Sequence, residues 1–113
     1  MERFNFSYDQ ENDDLFIYLK GARSFGAVEL GNFVFDFDED ENLVAIQIFE
    51  ASQVFLKLLK KIVEMNKIKE FRAEVVNFRN MVMIRLEVSS EDDNEEIVMP
   101  IPRIKEKSGA LNY

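Results

Sequence analysis

Residues 32–49 read Asn32-Phe33-Val34-Phe35-Asp36-Phe37-Asp38-Glu39-Asp40-Glu41-Asn42-Leu43-Val44-Ala45-Ile46-Gln47-Ile48-Phe49. Apolar and polar side chains alternate on both sides of a polar stretch, residues 38–42, which is the pattern of two strands joined by a hairpin connection. A connection this short joins antiparallel neighbours, because parallel strands need a crossover of about a dozen residues or more. The alternation puts Phe33, Phe35 and Phe37 on one face of the first strand, and Val44, Ile46 and Ile48 on one face of the second.

The same alternation continues in both directions from this hairpin. Short segments around residues 4–8, 15–19 and 27–30 precede it, and further strand patterns follow at 71–78, 81–88 and 96–101. The segment Leu15-Phe16-Ile17-Tyr18-Leu19 is apolar on both faces, so it is expected at the centre of the sheet or at an interface. Pro100 cannot donate a ladder hydrogen bond, so the last strand is expected at an edge.

The hydrophobic period changes to that of a helix between residues 52 and 65. Ser52 is the candidate N-cap and Asn66 the candidate C-terminal stop. The core-facing side chains of this helix are predicted to be Phe55, Leu58, Leu59 and Ile62. The fold class expected is therefore α+β: an antiparallel β-meander of about six to seven strands, with one amphipathic helix (about 52–65) packed on the sheet.

The chain of 113 residues fits one domain, residues 1–113. Within it we distinguish a β block at about 6–52, a helix plus three strands at 52–101 and a tail at 103–113. The N-terminus lacks the basic start and apolar stretch of a signal peptide, and no apolar run approaches the roughly 20 residues that span a bilayer. We expect a cytoplasmic protein with no membrane partner.

Composition narrows the chemistry. The chain has no Cys and no His, which removes thiolate chemistry and the commonest general base and metal ligand. The net charge is −8, and residues 1–50 alone carry 12 acidic against 3 basic side chains. Such a surface repels phosphate backbones, so no nucleic-acid partner is expected. The acidity either serves solubility or faces a basic partner protein.

Two acidic stretches have the alternating carboxylates of a calcium loop: Asp9, Glu11 and Asp13, and Asp36, Asp38 and Asp40. Neither has the glycine at the sixth position or the glutamate at the twelfth, so both are interpreted as acidic hairpin turns. Asp36 lies beside Val34 and Val44, where an apolar setting could raise its pKa, although an edge or turn role is the commoner one. We predict no catalytic, cofactor-binding or metal-binding residue and no cofactor.

Two stretches resemble a known family. Residues 8–19, Tyr8-Asp9-Gln10-Glu11-Asn12-Asp13-Asp14-Leu15-Phe16-Ile17-Tyr18-Leu19, are similar to its opening block, and residues 34–48 followed by Ala51-Ser52 are similar to its second block. The family is the prokaryotic domain-of-unknown-function group numbered 2283, and the resemblance covers about residues 6–52. The family usually has Gly where Glu41 and Ala45 stand, so Asn42 is expected to supply the positive φ of that turn. The resemblance implies a small prokaryotic β-rich domain and no activity.

Three functional hypotheses follow. The first is a non-enzymatic protein–protein interaction module, for instance one that neutralises a basic partner as an antitoxin does. The second is a structural homo-oligomer, expected as a homodimer through the aromatic sheet face of residues 15–19 and 33–37. The third is a small enzyme or ligand-binding protein that uses carboxylates.

Overall fold

The computed structural model describes residues 1–79, 81–91 and 93–102; the predicted tail at 103–113 lies outside the described residues. Eight strands, one α-helix and one 3₁₀ turn make up the described chain. They are β1 Glu2–Asp9, β2 Asp14–Tyr18, β3 Gly26–Leu30, β4 Phe33–Phe37, β5 Leu43–Ile48, α1 Ala51–Leu59, the 3₁₀ turn Met65–Lys67, β6 Ile68–Phe78, β7 Met81–Ser90 and β8 Asn94–Pro102.

All strands pair antiparallel in one sheet of order β3-β4-β5-β2-β1-β6-β7-β8. The antiparallel α+β class is confirmed, but the expected six to seven strands are eight, because each short alternating segment forms a strand of its own. The first half is not a simple meander either, since β2 pairs with β1 and β5 and not with β3. The doubly apolar β2 is central, as expected, and the proline-containing β8 is an edge strand.

The sheet curls so that one continuous core forms on its concave face. Side chains of the first five strands share this core with those of β6, β7 and β8. Phe35, Phe55, Phe71 and Ile84 are among its fully buried members. The alternation predicted that Val44 shares a face with Ile46 and Ile48. A register shift between Asp36 and Phe37 instead pairs Phe37 with Leu43, and Leu43 joins Ile46 and Ile48 in the core cluster.

The helix differs most from its prediction. It spans Ala51–Leu59 instead of 52–65, because Lys60 adopts a left-handed conformation with φ 58° and ends it. The remaining turns of the predicted helix would have carried Ile62 onto the sheet; Ile62 is instead 80% exposed, and Leu58 is exposed as well. Of the expected core face, Phe55 is fully buried and Leu59 is partly buried against the core.

In the turn between β4 and β5, one residue has to adopt a positive φ, and Asn42 was expected to be that residue. Glu41 itself takes the positive φ, 64°, and Asn42 is not among the residues with positive φ. The expectation for Asn42 is therefore wrong. Asn42 instead donates its backbone N–H to Asp38 Oδ1 at 2.9 Å and its side-chain amide to Asp38 Oδ2 at 3.2 Å, which ties the turn together.

Candidate functional site

The N-terminus of α1 is capped from a distant part of the chain. Ser52 donates its hydroxyl to Asp13 Oδ2 at 2.6 Å and its backbone N–H to Asp13 Oδ1 at 3.0 Å. The Ala51 N–H donates to the Asp13 carbonyl at 2.8 Å, and the Tyr8 hydroxyl donates to Asp13 Oδ1 at 2.6 Å. Ser52 was expected to be the N-cap acceptor; it is a donor inside the first turn, and Asp13 satisfies the free N–H group that every helix start presents.

The electrostatics of this network suit a structural role. Burial raises the pKa of Asp13, but the hydrogen bonds from the Ser52 side chain, Tyr8 and the Ser52 backbone outweigh it, so the net pKa lies below the usual 3.8. The hydrogen bond to Asp13, helped by burial and the nearby charge, raises the pKa of Tyr8 to about 12. A carboxylate that holds its charge this firmly is a poor proton acceptor, and such a tyrosine is a poor acid at neutral pH.

The two acidic stretches serve as turns. Asp9 Oδ1 accepts from the backbone N–H groups of Glu11 at 3.1 Å and Asn12 at 3.2 Å, and the Asn12 amide donates to Asp9 Oδ2 at 2.8 Å. Asp38 does the same for Asp40 and Asn42. These hydrogen bonds lower the pKa of both carboxyls, led by the Asn12 side chain at Asp9 and the Asn42 backbone at Asp38. Within the described residues no cluster of three potential metal ligands occurs.

Asp36 lies in β4, opposite Ala45 of β5 on the convex face. Ser24 donates its hydroxyl to Asp36 Oδ1 at 3.1 Å. The carboxylate is half-exposed and has a hydroxyl partner, so its surroundings are those of an ordinary surface side chain. Among the described residues, Asp36 belongs to no group of three or more potential metal ligands.

A cleft of about 970 Å³ opens at one end of the sheet. Its walls are the β4–β5 turn on one side and β6 and β7 on the other, with β1 between them. The floor is apolar and includes Phe4, Leu19, Leu43 and Val75. The rim carries the carboxylates of Glu2, Asp38, Asp40 and Glu41, and Glu74 also lines the cleft, although its carboxylate pairs with Arg85 on the convex face.

The rim carboxylates differ in how far they are already engaged. Asp38 is occupied by its own turn, and Glu74 pairs with Arg85 at 2.6 Å. Glu2, Asp40 and Glu41 take part in none of the ion pairs found in the described part of the chain. No lysine or arginine is found among the described residues that line the cleft. The cleft therefore combines an apolar floor with three carboxylates that have no ion-pair partner in the described part of the chain.

The cleft was not anticipated from the sequence. The pairing of β1 with β6 carries Glu2 to the strand that bears Ala73 and Glu74, and the curl of the sheet then brings the turn at 38–42 across from them. The signal that could have pointed to it was the −9 balance of the first fifty residues, 12 acidic against 3 basic. That balance predicted an acidic surface but not a concave one.

The convex face of the sheet divides into two surfaces. On β6, β7 and β8 the convex face carries ion pairs. Arg72 pairs with Glu70, and Arg85 pairs with both Glu74 and Glu96. On β2, the rings of Phe16 and Tyr18 stack with centroids 4.9 Å apart, and Phe16 is 41% exposed. Phe16 and Tyr18 lie opposite Gln47 and Ala45 of β5. We call these four residues the aromatic patch.

The fold and the cleft define a small antiparallel α+β protein with an acidic, concave surface. In comparison with known proteins, a family model described as "Protein of unknown function (DUF2283)" matches residues 5–52. The chain is 30% identical to the uncharacterized protein MJ0789 of Methanocaldococcus jannaschii over 108 residues, which is 92% of each chain. The chain belongs to this family of proteins of unknown function.

A second relative is a protein of Methanosarcina mazei named "Putative hypoxanthine phosphoribosyltransferase". It is 28% identical over 90 residues, 80% of this chain and 71% of its own length. No solved structure matches the chain.

The hydrogen-bond network around Asp13 lies within the part of the chain that the family model matches. Tyr8, Asp13 and Ser52 all fall within the matched residues 5–52, and the match ends at Ser52. The matched range therefore spans the three residues that join the first turn to the helix. As for membranes, the described helices are all too short or too polar to cross one.

Proposed function

We propose that this protein is a non-enzymatic interaction module that binds a basic segment of a partner protein in the acidic cleft. The single observation that supports the proposal is the cleft rim, where Glu2, Asp40 and Glu41 have no cationic partner among the described residues. Because clefts lined by one sign of charge focus the field, they attract ligands of the opposite charge. Such binding would neutralise a basic partner in the cytoplasm.

The form of the cleft favours a peptide segment over a small cation. The floor offers apolar side chains such as Phe4, Leu43 and Val75, and the rim offers carboxylates. Lysine and arginine fit such a surface, since their aliphatic stems pack on apolar groups while the charged heads stay in water. A segment that alternates leucine with lysine matches both the floor and the rim.

The name of the Methanosarcina protein suggests transfer of a phosphorylated sugar, and we do not propose that activity for this chain. A phosphate-bearing substrate needs cationic or N–H donors. The acidic cleft would repel it, and the Tyr8–Asp13–Ser52 network is engaged in capping. The proposal therefore rests on binding alone.

The test is fluorescence anisotropy with a labelled peptide of alternating leucine and lysine. We expect saturable binding that weakens as salt rises, because exposed charges are screened within about 8 Å at physiological ionic strength. The triple variant E2Q/D40N/E41Q should weaken binding at least about tenfold if each lost charge contributes on the order of 0.5 kcal/mol. A leucine–serine peptide should not bind.

The matched control removes three carboxylates that do not line the cleft: E11Q/E29Q/E39Q. This triple changes the net charge by the same amount, and Glu39 belongs to the same turn as Glu41. If both triples weaken binding equally, the attraction is that of net charge and the cleft is not a site. If neither peptide binds the unaltered protein, the proposal is wrong.

Self-association through the aromatic patch is a second candidate function. It is favoured by the contrast between the two convex surfaces: ion pairs cover β6 to β8, while Phe16 and Tyr18 remain at the surface of β2. Sedimentation equilibrium at micromolar concentration tests it. A dimer that F16S returns to the 13.3 kDa chain mass supports the patch, and a dimer unaffected by F16S excludes it.

A further inference from the structure

The two edges of the sheet are built differently. The strand order leaves β3 at one edge and β8 at the other. An exposed edge presents unpaired N–H and C=O groups that can pair with another strand, so proteins blunt such edges with prolines and charges. Comparison of the two edges therefore shows which of them is open to a partner.

The edge at β8 is blunted. Pro100 lies within the strand and lacks an N–H, and Pro102 ends it. Glu95 and Glu96 add charge at its other end. A second strand cannot complete a regular ladder along this edge.

The edge at β3 has no proline and only one charged side chain. Its sequence is Gly26-Ala27-Val28-Glu29-Leu30, with no proline, no lysine and one carboxylate. Its inner side pairs with β4 over all five residues, and no strand of the described chain pairs with its outer side. Val28 packs against the core cluster, and Leu30, on the same face by alternation, is 39% exposed.

We propose that β3 is an interface for a second copy of this chain, paired antiparallel about a two-fold axis at Val28. In this register, residues whose numbers sum to 56 lie opposite each other. Leu30 then lies opposite Gly26 of the second copy, where the absent side chain leaves room for it. Val28 faces its own counterpart, and β-branched cross-strand pairs of this kind stabilise a sheet.

Charge selects this register over its neighbours. A two-fold axis at Glu29 would place the two Glu29 carboxylates directly opposite each other, which is destabilising. An axis at Ala27 would leave Leu30 beyond the paired strand. The axis at Val28 places Glu29 opposite Ala27 of the second copy, so no two charges face each other. It also keeps the Leu30 of each copy within the paired strands. In this register the segment is complementary to itself in side-chain size and in charge.

The chain contains no cysteine, so single cysteines can report the register without background. The experiment is air oxidation of the full-length protein at micromolar concentration, followed on non-reducing gels, with A27C, E29C, V28C and V98C. Residues directly opposite each other can form a disulfide, because their Cα atoms lie within about 7 Å. Residues diagonally opposite lie about 7–8 Å apart and cannot do so without strain.

We expect V28C to form a homodimer. We expect A27C mixed with E29C to form a heterodimer about tenfold faster than either forms alone, because only directly opposite residues lie within disulfide reach in this register. Ala27 and Glu29 are exposed, so this mixture remains informative if V28C destabilises the core. V98C, an exposed residue on the blunted edge, measures random collision. Rates in the mixture equal to those of V98C would overturn the proposal, as would faster linking of E29C alone.

This interface does not depend on the proposed function of the cleft. The substitutions at 27 and 29 lie outside the cleft lining, so they should leave peptide binding unchanged. A protein that binds the basic peptide but fails to cross-link retains the cleft proposal and loses this one. Cross-linking without peptide binding gives the reverse result.

Discussion

The Ser52 hydroxyl lies 2.6 Å from Asp13 Oδ2, across a sequence separation of 39 residues. This contact joins the turn before β2 to the start of α1. It also completes the cap that Glu50, the residue before the helix, does not supply, since Glu50 makes no side-chain capping hydrogen bond. The stability of the helix therefore depends on a residue of the first hairpin.

Asp13→Ala should lower the free energy of unfolding by about 1–3 kcal/mol. The change removes an N-cap acceptor and leaves the hydroxyls of Tyr8 and Ser52 without it. Urea denaturation measures the loss. Glu11→Gln, in the same turn but exposed, should stay within about 0.5 kcal/mol of the unaltered protein. Equal effects of the two changes would contradict the capping role.

The same carboxylate predicts how stability depends on acid. The pKa of Asp13 in the folded protein lies below its ordinary 3.8, so the folded state binds its proton less readily than the unfolded state. Its contribution is therefore fully present above the ordinary pKa and is lost as pH falls through the lower, folded value. Urea midpoints between pH 6 and pH 2 should fall less steeply in Asp13→Asn. Parallel curves for the two proteins would rule this out.

Tyr8 should titrate abnormally in alkali. Its pKa is raised to about 12 from the ordinary 10.0, chiefly by its hydrogen bond to Asp13. The contribution of this hydrogen bond to stability is present below pH 10 and is lost as pH rises towards 12. In that range Tyr8 loses its proton more readily in the unfolded state than in the folded state. Absorbance of the phenolate should show one late step that Tyr8→Phe abolishes. If Tyr8→Phe leaves the titration unchanged, the hydrogen bond is not formed in solution.

Glu41→Gly should stabilise the protein by about 0.5–1 kcal/mol, because a non-glycine residue is strained at positive φ. Glu41 has φ 64°. Asn42→Gly is the informative control, since its φ is not positive and its side chain bonds Asp38. We expect that control to be destabilising. Thermal unfolding of the two variants in parallel decides between the two turn positions.

Phe55 and Ile62 were both predicted to lie on the core-facing side of the helix, but their substitution by alanine should change stability by very different amounts. Phe55→Ala should cost about 3–5 kcal/mol, since a fully buried phenylalanine leaves a cavity. Ile62→Ala should change stability by less than about 0.5 kcal/mol, because Ile62 is 80% exposed. Chemical denaturation of both variants tests the shortened helix. A large loss for Ile62→Ala would mean that the helix continues past Lys60.

The β half of the fold was predictable for a local reason. Alternation along a strand is imposed by the pleat itself, so residues 33–37 and 81–88 could be placed without knowing their partners. The doubly apolar β2 and the proline of β8 likewise indicated the centre and the edge. The family resemblance over about residues 6–52 was also recognisable, because it consists of two continuous blocks of sequence.

The candidate site could be predicted only as a surplus of charge. Glu2 is far along the chain from the adjacent Asp40 and Glu41, and nothing local relates it to the turn at 38–42. They meet because β1 joins the two halves of the sheet, pairing with β2 on one side and β6 on the other. Strand order of this kind depends on long-range pairing, which periodicity does not encode.

What the sequence by itself determined is the antiparallel α+β class, the strand positions and the acidic surface, since these depend on side-chain pattern and charge alone. Only the tertiary structure decided the helix length, the cap and the cleft. The apolar stripe from Phe55 to Ile62 satisfies a helical period, yet the helix stops once Lys60 turns left-handed. Asp13 caps Ser52 because folding brings the two together. An interaction between distant residues has no local signature, so it emerges only when the chain closes on its core.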